Sequence, residues 1–455
     1  MKSILGFGLV TLAVTALLAI TSARSSGARE DLPRAYGLTA RPISKPYLRM
    51  PELASGEFPP LLSQTGAFAN VRALIPNRSL IPYDVIVPFW SDGASKSRWM
   101  SLPKGTIKFA PTGEWKFPNG TVFVKQFELP IDDTNPGLKR RLETRFLVRD
   151  AAGGVYGVVY KWRPDNSDAD LLAASVTEDI VIKTASGTRV QTWYYPSRED
   201  CLTCHTSNAG GVLGVKSRQM NRDFVYPSGV TDNELRAWNH AGLFDHKLHD
   251  SELTGLPTLA NANDNTRSLE DRARSFLDAN CSQCHRPGGT IVAFDARYDT
   301  PLAKQGLIGG QVLIDEGIDR PRIVAPNDIW RSILFMRVDT TDTFKMPPLA
   351  RMMVDSASVA VLRDWIHSLP GPPVLDPPVF SPPGGNFDKA VRVTLSDAEP
   401  GATIHFTLDG SEPTSSDPIY EGLLELTEPK VIRARAFKDG FTRSIAAQQV
   451  YIPGG

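Results

Sequence analysis

The sequence has only four cysteines in 455 residues, and all four fall into two short motifs. No thiol is therefore left for a separate structural disulfide. An excess of charge is also lacking, because 50 basic side chains are balanced by 50 acidic ones. Without net positive charge, the chain shows no electrostatic footprint of nucleic-acid binding, and we expect no nucleic-acid partner.

Long apolar segments are absent except at the N-terminus, where one run covers residues 4–20. Lys2 precedes this run and small residues follow it, an order typical of a secretory signal peptide over residues 1–23. A retained membrane anchor is the alternative, since about 17 apolar residues are close to the lower limit for a span. We expect a bacterial protein exported to the periplasm, cell surface or medium, with no transmembrane span after signal removal.

The four cysteines define two copies of one motif. Residues 201–205 read Cys-Leu-Thr-Cys-His, and residues 281–285 read Cys-Ser-Gln-Cys-His. Cys-x-x-Cys-His is the attachment signature of c-type haem. Two thiols on one turn can each bond a vinyl group of the same porphyrin, while the adjacent imidazole coordinates the iron. The sequence thus predicts two covalently bound haem c groups. Their attachment and iron-ligand residues are Cys201, Cys204 and His205 for the first, and Cys281, Cys284 and His285 for the second.

Two interpretations without haem are open at this point: two local disulfides, or one zinc site built from the four cysteines. Zinc ribbons use paired Cys-x-x-Cys knuckles, but they do not require a histidine directly after each pair. The histidine recurs in both motifs, which favours haem. Export agrees with this interpretation, because bacterial haem c is attached outside the cytoplasm.

Changes in pattern along the chain predict its domains. Alternating apolar and polar residues, as at residues 141–149, predict an antiparallel β domain of sandwich or open-barrel type. Seven prolines in residues 370–383 predict a semi-rigid linker, and the alternating strands beyond it predict a small Ig/Fn3-like β-sandwich. The predicted order is a signal peptide (1–23), an extended lead-in (24–57), a β-rich domain (58–195), a first haem-binding segment (196–258), a cytochrome c domain with the second haem (259–370), the linker (371–383) and the sandwich (384–455).

Capping signals predict helices at both motifs. Ser197 begins a capping box just before the first motif, and Ser268 begins one for a helix that runs into the second. Asp355 can cap a later amphipathic helix. Together these signals predict a multidomain fold: an N-terminal all-β domain, a central α-helical class I-like cytochrome c region with two haems, and a C-terminal small β-sandwich.

Residues 259–370 resemble class I c-type cytochrome domains, whose first and last helices cross beside the haem. The matching residues are Cys281, Cys284, His285 and Met346. A methionine beside prolines is the distal iron ligand in that family, so the resemblance implies this role for Met346. Met336, Met352 and Met353 are competing candidates.

Two further resemblances cover other parts of the chain. From Phe58 onward it resembles a family of bacterial dihaem c-type cytochromes that is known mainly by sequence, through residues 90–94, 143–145 and 194–196. Residues 374–452 are similar to the C-terminal β-sandwich module of chitobiases and β-hexosaminidases. That module is not the catalytic part of those enzymes, so the resemblance implies its fold and no hydrolytic activity.

The distal ligand of the first haem is left open by the sequence. The candidates are Met220, His240, His246 and His249. We favour His240, because it shares a predicted helix over residues 231–242 with Trp238, which could fix the orientation of the imidazole by packing. Met220, close after His205 in sequence, is the runner-up.

Function depends on this ligand. If both irons are fully ligated, the protein is a two-centre relay that exchanges single electrons with redox partner proteins, each iron cycling between ferrous and ferric. If the first haem is open, the chain is a haem enzyme of peroxidase or oxygenase type, which also needs distal groups that stabilise charge on oxygen. Arg218 and Arg222 lie near the first motif, but arginines there more often pair with haem propionates. Electron transfer is therefore favoured, with a polysaccharide or cell-surface component as a further partner of the C-terminal module.

Overall fold

Ten strands fill the chain from Phe68 to Tyr195, and six of them form one antiparallel sheet in the computed structural model. The structure describes residues 35–291, 294–349 and 351–454, so the predicted signal peptide lies outside the described residues. The strands are β1 (Phe68–Asn70), β2 (Ile75–Pro76), β3 (Ile81–Tyr83), β4 (Ser95–Ser101), β5 (Val122–Pro130), β6 (Lys139–Arg149), β7 (Val155–Trp162), β8 (Ala169–Leu171), β9 (Val176–Thr184) and β10 (Gly187–Tyr195). β3 to β8 are neighbours in this order in the large sheet, whereas β1 pairs with β2 and β9 with β10.

Both faces of the large sheet are covered. Val124 and Phe146 lie on one face in an apolar core of their own. Phe123 lies on the other face and packs in a second core with Trp238, from the segment after the first motif. The strand predicted from the alternation at residues 141–149 is confirmed as part of β6. Glu143, although on the polar side of the alternation, is fully buried, so the polar side of this sheet faces protein and not only water.

Short helices and a small hairpin follow the sheet. They are α1 (Arg198–Cys204), α2 (Ser217–Met220), β11 (Asp223–Val225), β12 (Thr231–Asn233), α3 (Glu234–His240) and α4 (Asp250–Thr254). The predicted capping box at Ser197 is confirmed, because its hydroxyl accepts a hydrogen bond from the backbone N–H of Asp200 and the return bond is also present. α3 begins later than predicted, because β12 pairs with β11 as a strand.

Three helices occupy the next part of the chain. They are α5 (Leu269–Asn280), α6 (Ile333–Val338) and α7 (Ser356–Ser368). Ser268 and Asp355 cap α5 and α7, each accepting a backbone hydrogen bond three residues on. The capping box predicted at Ser268 is confirmed only in this N-cap bond, because the described hydrogen bonds do not include the return bond. α5 and α7 pack against each other and share an apolar core that contains Leu277 and Trp365.

The predicted central α-helical region of class I cytochrome type is wrong. Strands hold 29% of the described residues and helices 15%, and most of residues 259–370 outside α5, α6 and α7 lies in turns and loops. Glu316, Arg320 and Asn327 have positive φ angles, which a right-handed helix does not accept. The two capped helices are real, but the long connection between them is irregular, and the chain is predominantly β.

A two-sheet β-sandwich ends the chain, as predicted. Its strands are β13 (Val379–Ser381), β14 (Gly385–Phe387), β15 (Val391–Ser396), β16 (Thr403–Thr407), β17 (Leu424–Leu426), β18 (Lys430–Phe437) and β19 (Ala447–Pro453). One sheet has the order β13-β15-β17 and the other β14-β19-β18-β16. Val393 and Ile432 contribute fully buried side chains to the core of the sandwich.

The sandwich is fastened to the helical part. Arg331 donates a hydrogen bond to the backbone oxygen of Arg443 at 3.1 Å, and Asp319 pairs with the Arg443 side chain at 2.9 Å. Residues Tyr36–Gly455 accordingly form one compact unit. Over the described ranges, no helix is both long and apolar enough to cross a membrane.

Candidate functional site

The two Cys-x-x-Cys-His motifs lie side by side in the fold. Cys284 donates from its thiol towards the backbone oxygen of Thr203 at 4.0 Å, across 81 positions of sequence. The proximity of the Cys204 and Cys284 thiols raises the pKa of Cys204 and lowers the pKa of Cys284 to about 7. Just beyond the motifs, the Asn208 amide donates to the backbone oxygen of Pro287 at 3.3 Å. The structure therefore brings together two sites that the sequence presents as separate.

β7 approaches α1 closely at Gly157. A Cβ at this position would lie 2.5 Å from the Sγ of Cys201, which is closer than non-bonded atoms allow. The absence of a side chain thus makes room for the first thiol against the large sheet. Burial raises the pKa of the Cys201 thiol above its ordinary value.

Each motif histidine has at least one ring nitrogen without a hydrogen-bond partner among the described residues. The Nδ1 atom of His205 lies 2.8 Å from the backbone oxygen of Gly211, an arrangement that leaves Nε2 available to a metal. His285 stacks on Phe294 with ring centroids 4.2 Å apart, and its buried Nδ1 has no hydrogen-bond partner in the described part of the chain. Burial lowers the pKa of both imidazoles to about 4. Both are therefore neutral at pH 7, the form that binds iron.

None of the four cysteines forms a disulfide. The described residues also contain no group of three or more histidine, cysteine, aspartate or glutamate side chains that could hold a metal ion. The expectation of a metal-binding protein, and with it the zinc alternative, is therefore contradicted for the described residues. Two thiols and one imidazole per motif suit instead a group that brings its own metal, as a porphyrin does.

A cleft lies against the large sheet and reaches both motifs. It contains about 1330 Å³ of empty space, which includes solvent at its mouth. Cys201, Cys204 and His205 of the first motif line it, together with Ala279 and Gln283 at the second. Side chains of β4, β5 and β6 form its sheet wall. The cleft is therefore open space directly beside the first motif.

Four cations on three neighbouring strands line this cleft: Lys96, Arg98, Lys125 and Arg145. Burial, followed by the neighbouring guanidinium groups, lowers the pKa of Lys125 to about 7. The same causes lower the pKa of Lys96 well below its ordinary value. Sequence reasoning missed this cluster, although the alternation of Phe123, Lys125 and Phe127 on one strand face was a signal for a mixed apolar and cationic wall.

The predicted second iron ligand, Met346, lies half-buried in the loop between α6 and α7. The end of this loop is held by a segment that precedes β4. Asp92 accepts a backbone hydrogen bond from Met353, and the Trp90 indole donates to the backbone oxygen of the same residue at 3.0 Å. The backbone N–H of Trp90 donates to the Asn280 side chain at 2.8 Å. This segment thus links the methionine loop to the residue directly before the second motif.

The candidate distal ligands of the first haem do not line the cleft. Met220 is buried in the core that contains Trp238. His240 is exposed and stacks on Tyr36, with ring centroids 3.5 Å apart, and His246 and His249 are on the surface. Among the described residues that line the cleft, His205 is the sole histidine and there is no methionine. The structure therefore places neither Met220 nor His240 across the cleft from His205.

The C-terminal β-sandwich belongs to a recognisable class of module. Residues 382–448 match the Chitobiase/beta-hexosaminidase C-terminal domain family, which confirms the predicted resemblance of the tail. His405 is buried here, with its Nδ1 2.7 Å from the backbone oxygen of Asp417. The match covers a small part of the chain and does not extend to the two motifs. No curated protein matches the sequence.

Proposed function

We propose that this chain binds two haem groups covalently and passes single electrons to and from redox partner proteins. The observation that carries the proposal is the approach of the second motif to the first, where the Cys284 thiol lies 4.0 Å from the backbone oxygen of Thr203. It brings the two points of porphyrin attachment next to each other, and a two-centre relay needs its centres close together. The resemblance of residues 90–94 and 143–145 to bacterial dihaem c-type cytochromes supports the same function.

In the first motif, the cysteines and the histidine would have different roles in binding haem. When bound, haem supplies a one-electron couple whose potential depends on axial ligands, hydrogen bonds and burial. Cys201 and Cys204 would hold the first haem through thioether bonds, each formed by addition of the thiol across a vinyl group. His205 would bind the iron through Nε2, with its ring orientation fixed by the contact to Gly211.

The second motif would act in the same way. Cys281 and Cys284 would form the thioether bonds, and His285 would bind the iron on one side. Met346 is the proposed ligand on the other side, because the Lys345–Pro348 context favours it and because the loop that carries it is anchored beside the motif by Trp90. A thioether ligand raises the potential of a haem.

A second candidate function is a haem enzyme of peroxidase or oxygenase type at the first motif. The observation that favours it is the lack of methionine and of any histidine except His205 among the described residues lining the cleft. Peroxide or O2 could then reach the distal side. The cations of the sheet wall would stabilise negative charge that develops on oxygen.

Absorption and EPR spectra of both oxidation states, with and without CO, distinguish the two functions. The sample is the full-length chain, exported from a bacterial host that matures c-type haem. Low-spin signals alone and no reaction with CO are expected for the relay. A high-spin haem that binds CO would support the enzyme, and a protein without haem absorption would contradict both.

We further propose that the protein is exported and that its C-terminal sandwich binds a polysaccharide or cell-surface component. The family match over residues 382–448 supports this proposal. Co-sedimentation of the full-length protein with insoluble chitin and with bacterial cell-wall material tests it. Retention that soluble oligosaccharides reverse is the expected result, whereas protein that stays in the supernatant with every material would contradict it.

A further inference from the structure

The sheet wall of the cleft carries a row of like charges. Arg98 on β4, Lys125 on β5 and Arg145 on β6 occupy directly opposed register positions. Lys96 lies two residues before Arg98 on the same strand, and therefore on the same face. Like charges directly opposite each other destabilise a sheet. Negative charge beside such a wall would offset this repulsion.

Protein carboxylates neutralise the two guanidinium groups of the row. Arg98 forms an ion pair with Asp84. Arg145 pairs with Glu143 through two hydrogen bonds, at 3.0 and 2.6 Å. Because Glu143 is fully buried, this two-point pair is a fixed part of the sheet.

The two ammonium groups have no such partner. Lys96 donates to the backbone oxygen of Phe89, which carries no charge. Lys125 has no hydrogen bond or ion pair with any residue that the structure describes. Asp200 is the one carboxylate among the described lining residues, and it accepts hydrogen bonds from the Tyr194 hydroxyl at 2.6 Å and from a backbone N–H at 2.8 Å. Two lysine amino groups in the cleft therefore have no carboxylate partner among the described residues.

We propose that Lys96 and Lys125 bind the two propionate groups of the haem attached at Cys201 and Cys204, an inference that rests on the proposed function. The two lysine groups, when protonated, equal the two propionate carboxylates in number and are opposite to them in charge. Phe123 and Phe127 lie on either side of Lys125 on the same strand face and line the same cleft. They supply the apolar surface against which a porphyrin ring packs, so that one wall meets both the apolar and the anionic parts of haem.

Replacement of each lysine by methionine tests this assignment, because methionine keeps much of the length and apolar stem of lysine and removes the charge. Lys96→Met and Lys125→Met are compared with Lys139→Met, an exposed position on β6. The measurements on the exported full-length protein are intact mass, the midpoint potential of each haem by spectroelectrochemistry, and infrared difference spectra of the propionate carboxylates. Acetate is varied in parallel as a probe for a soluble anion.

A lost positive charge disfavours the reduced haem. We expect Lys96→Met and Lys125→Met each to retain two haems and to lower the reduction equilibrium constant of the first haem about tenfold, which is about 59 mV for one electron. The propionate bands shift in both variants, whereas Lys139→Met leaves potential and bands unchanged.

If all three variants retain two haems and show the same midpoint potentials and propionate bands, the assignment of the lysines is wrong. The midpoint potential of the wild type could instead depend on acetate concentration, with no such dependence in Lys96→Met and Lys125→Met. This result would mean that the lysines bind a soluble anion, and it would also overturn the assignment. A protein without covalent haem would overturn the proposed function itself, and intact mass distinguishes this result from the others.

Discussion

The carboxylate of Asp92 accepts a hydrogen bond from the backbone N–H of Met353 at 2.9 Å, across 261 positions of sequence. The N–H of Met352 donates to the same carboxylate at 3.0 Å. Asp92 is buried, and burial raises its pKa although the two backbone donors oppose the shift. The loop between β3 and β4 therefore fixes the end of the methionine loop beside the second motif.

Replacement of Asp92 by alanine leaves the half-buried backbone N–H groups of Met352 and Met353 without their acceptor. We expect the free energy of unfolding to fall by about 1–3 kcal/mol, as measured by urea denaturation. We also expect weaker methionine ligation of the second haem, seen as loss of the methionine-to-iron charge-transfer absorption. Asp170→Ala, which removes an exposed ion pair with Arg163, is the control and should cost less than about 1 kcal/mol. Equal losses in the two variants would argue against a holding role for Asp92.

Alanine at Gly157 displaces Cys201, because the added methyl would lie 2.5 Å from Sγ and 2.6 Å from Cβ of that residue. Overpacking of this kind costs about 1–3 kcal/mol, and the displaced thiol should reduce haem content at the first motif. Intact mass and thermal unfolding measure both effects. Gly422→Ala is the matched control, since a Cβ at Gly422 has no atom within 4 Å. Full haem content in Gly157→Ala would show that the close approach is not needed.

Glu234 is a buried carboxyl group that makes stability depend on pH. Its Oε1 accepts a hydrogen bond from the backbone N–H of Asp84 at 2.7 Å, whereas Oε2 is buried with no partner among the described residues. Burial raises its pKa well above the ordinary value. The folded state therefore holds a proton that the unfolded state releases above about pH 4.3, so stability falls as pH rises, by up to about 1.4 kcal/mol per pH unit.

Glu234→Gln removes this pH dependence. We expect its stability relative to the wild type to be greater at pH 7 than at pH 5, measured by urea unfolding at both values. Glu421→Gln, at an exposed position of the C-terminal sandwich, should change little between the two. A difference between Glu234→Gln and wild type that is the same at pH 5 and pH 7 would contradict the buried, protonated state.

Asp319 connects the helical part to the C-terminal sandwich through Arg331 and Arg443, at 3.5 and 2.9 Å. Asp319→Ala leaves the buried guanidinium group of Arg331 with less negative charge around it, and we expect a loss of about 1–3 kcal/mol. Limited proteolysis within residues 371–383 should become faster. Asp364→Ala, from an exposed pair, is the control. Cleavage at the same rate in both variants would mean that other contacts hold the sandwich in place.

Local signals in the sequence were sufficient for much of the fold. β5, β6 and β7 were predictable because period-two alternation and turn residues act within a few positions. Ser197, Ser268 and Asp355 marked helix starts because a cap bonds within its own first turn. The prediction of a helical cytochrome region was wrong because no such signal covers the long connection from α5 to α7. The path of this connection depends on tertiary packing and on residues such as Glu316 with positive φ.

The site was predictable only at its motifs. Cys-x-x-Cys-His carries its chemistry in five consecutive residues, whereas the approach of Cys284 to Thr203 depends on how distant segments pack. Arg145 was assigned to the polar side of a strand, and period-two alternation cannot tell whether that side meets water or a second layer of protein. The sheet wall and the hydrogen bonds of Asp92 to Met352 and Met353 could therefore be identified only from the three-dimensional structure.

Intact mass spectrometry of the exported full-length protein, made in a bacterial host that matures c-type haem, tests the central claim most directly. We predict a coloured protein whose mass exceeds that of the mature polypeptide by two haem groups, and by one haem group after replacement of Cys201 and Cys204 by alanine. A colourless protein with the mass of the polypeptide alone would contradict covalent haem at both motifs, and with it the proposed electron transfer.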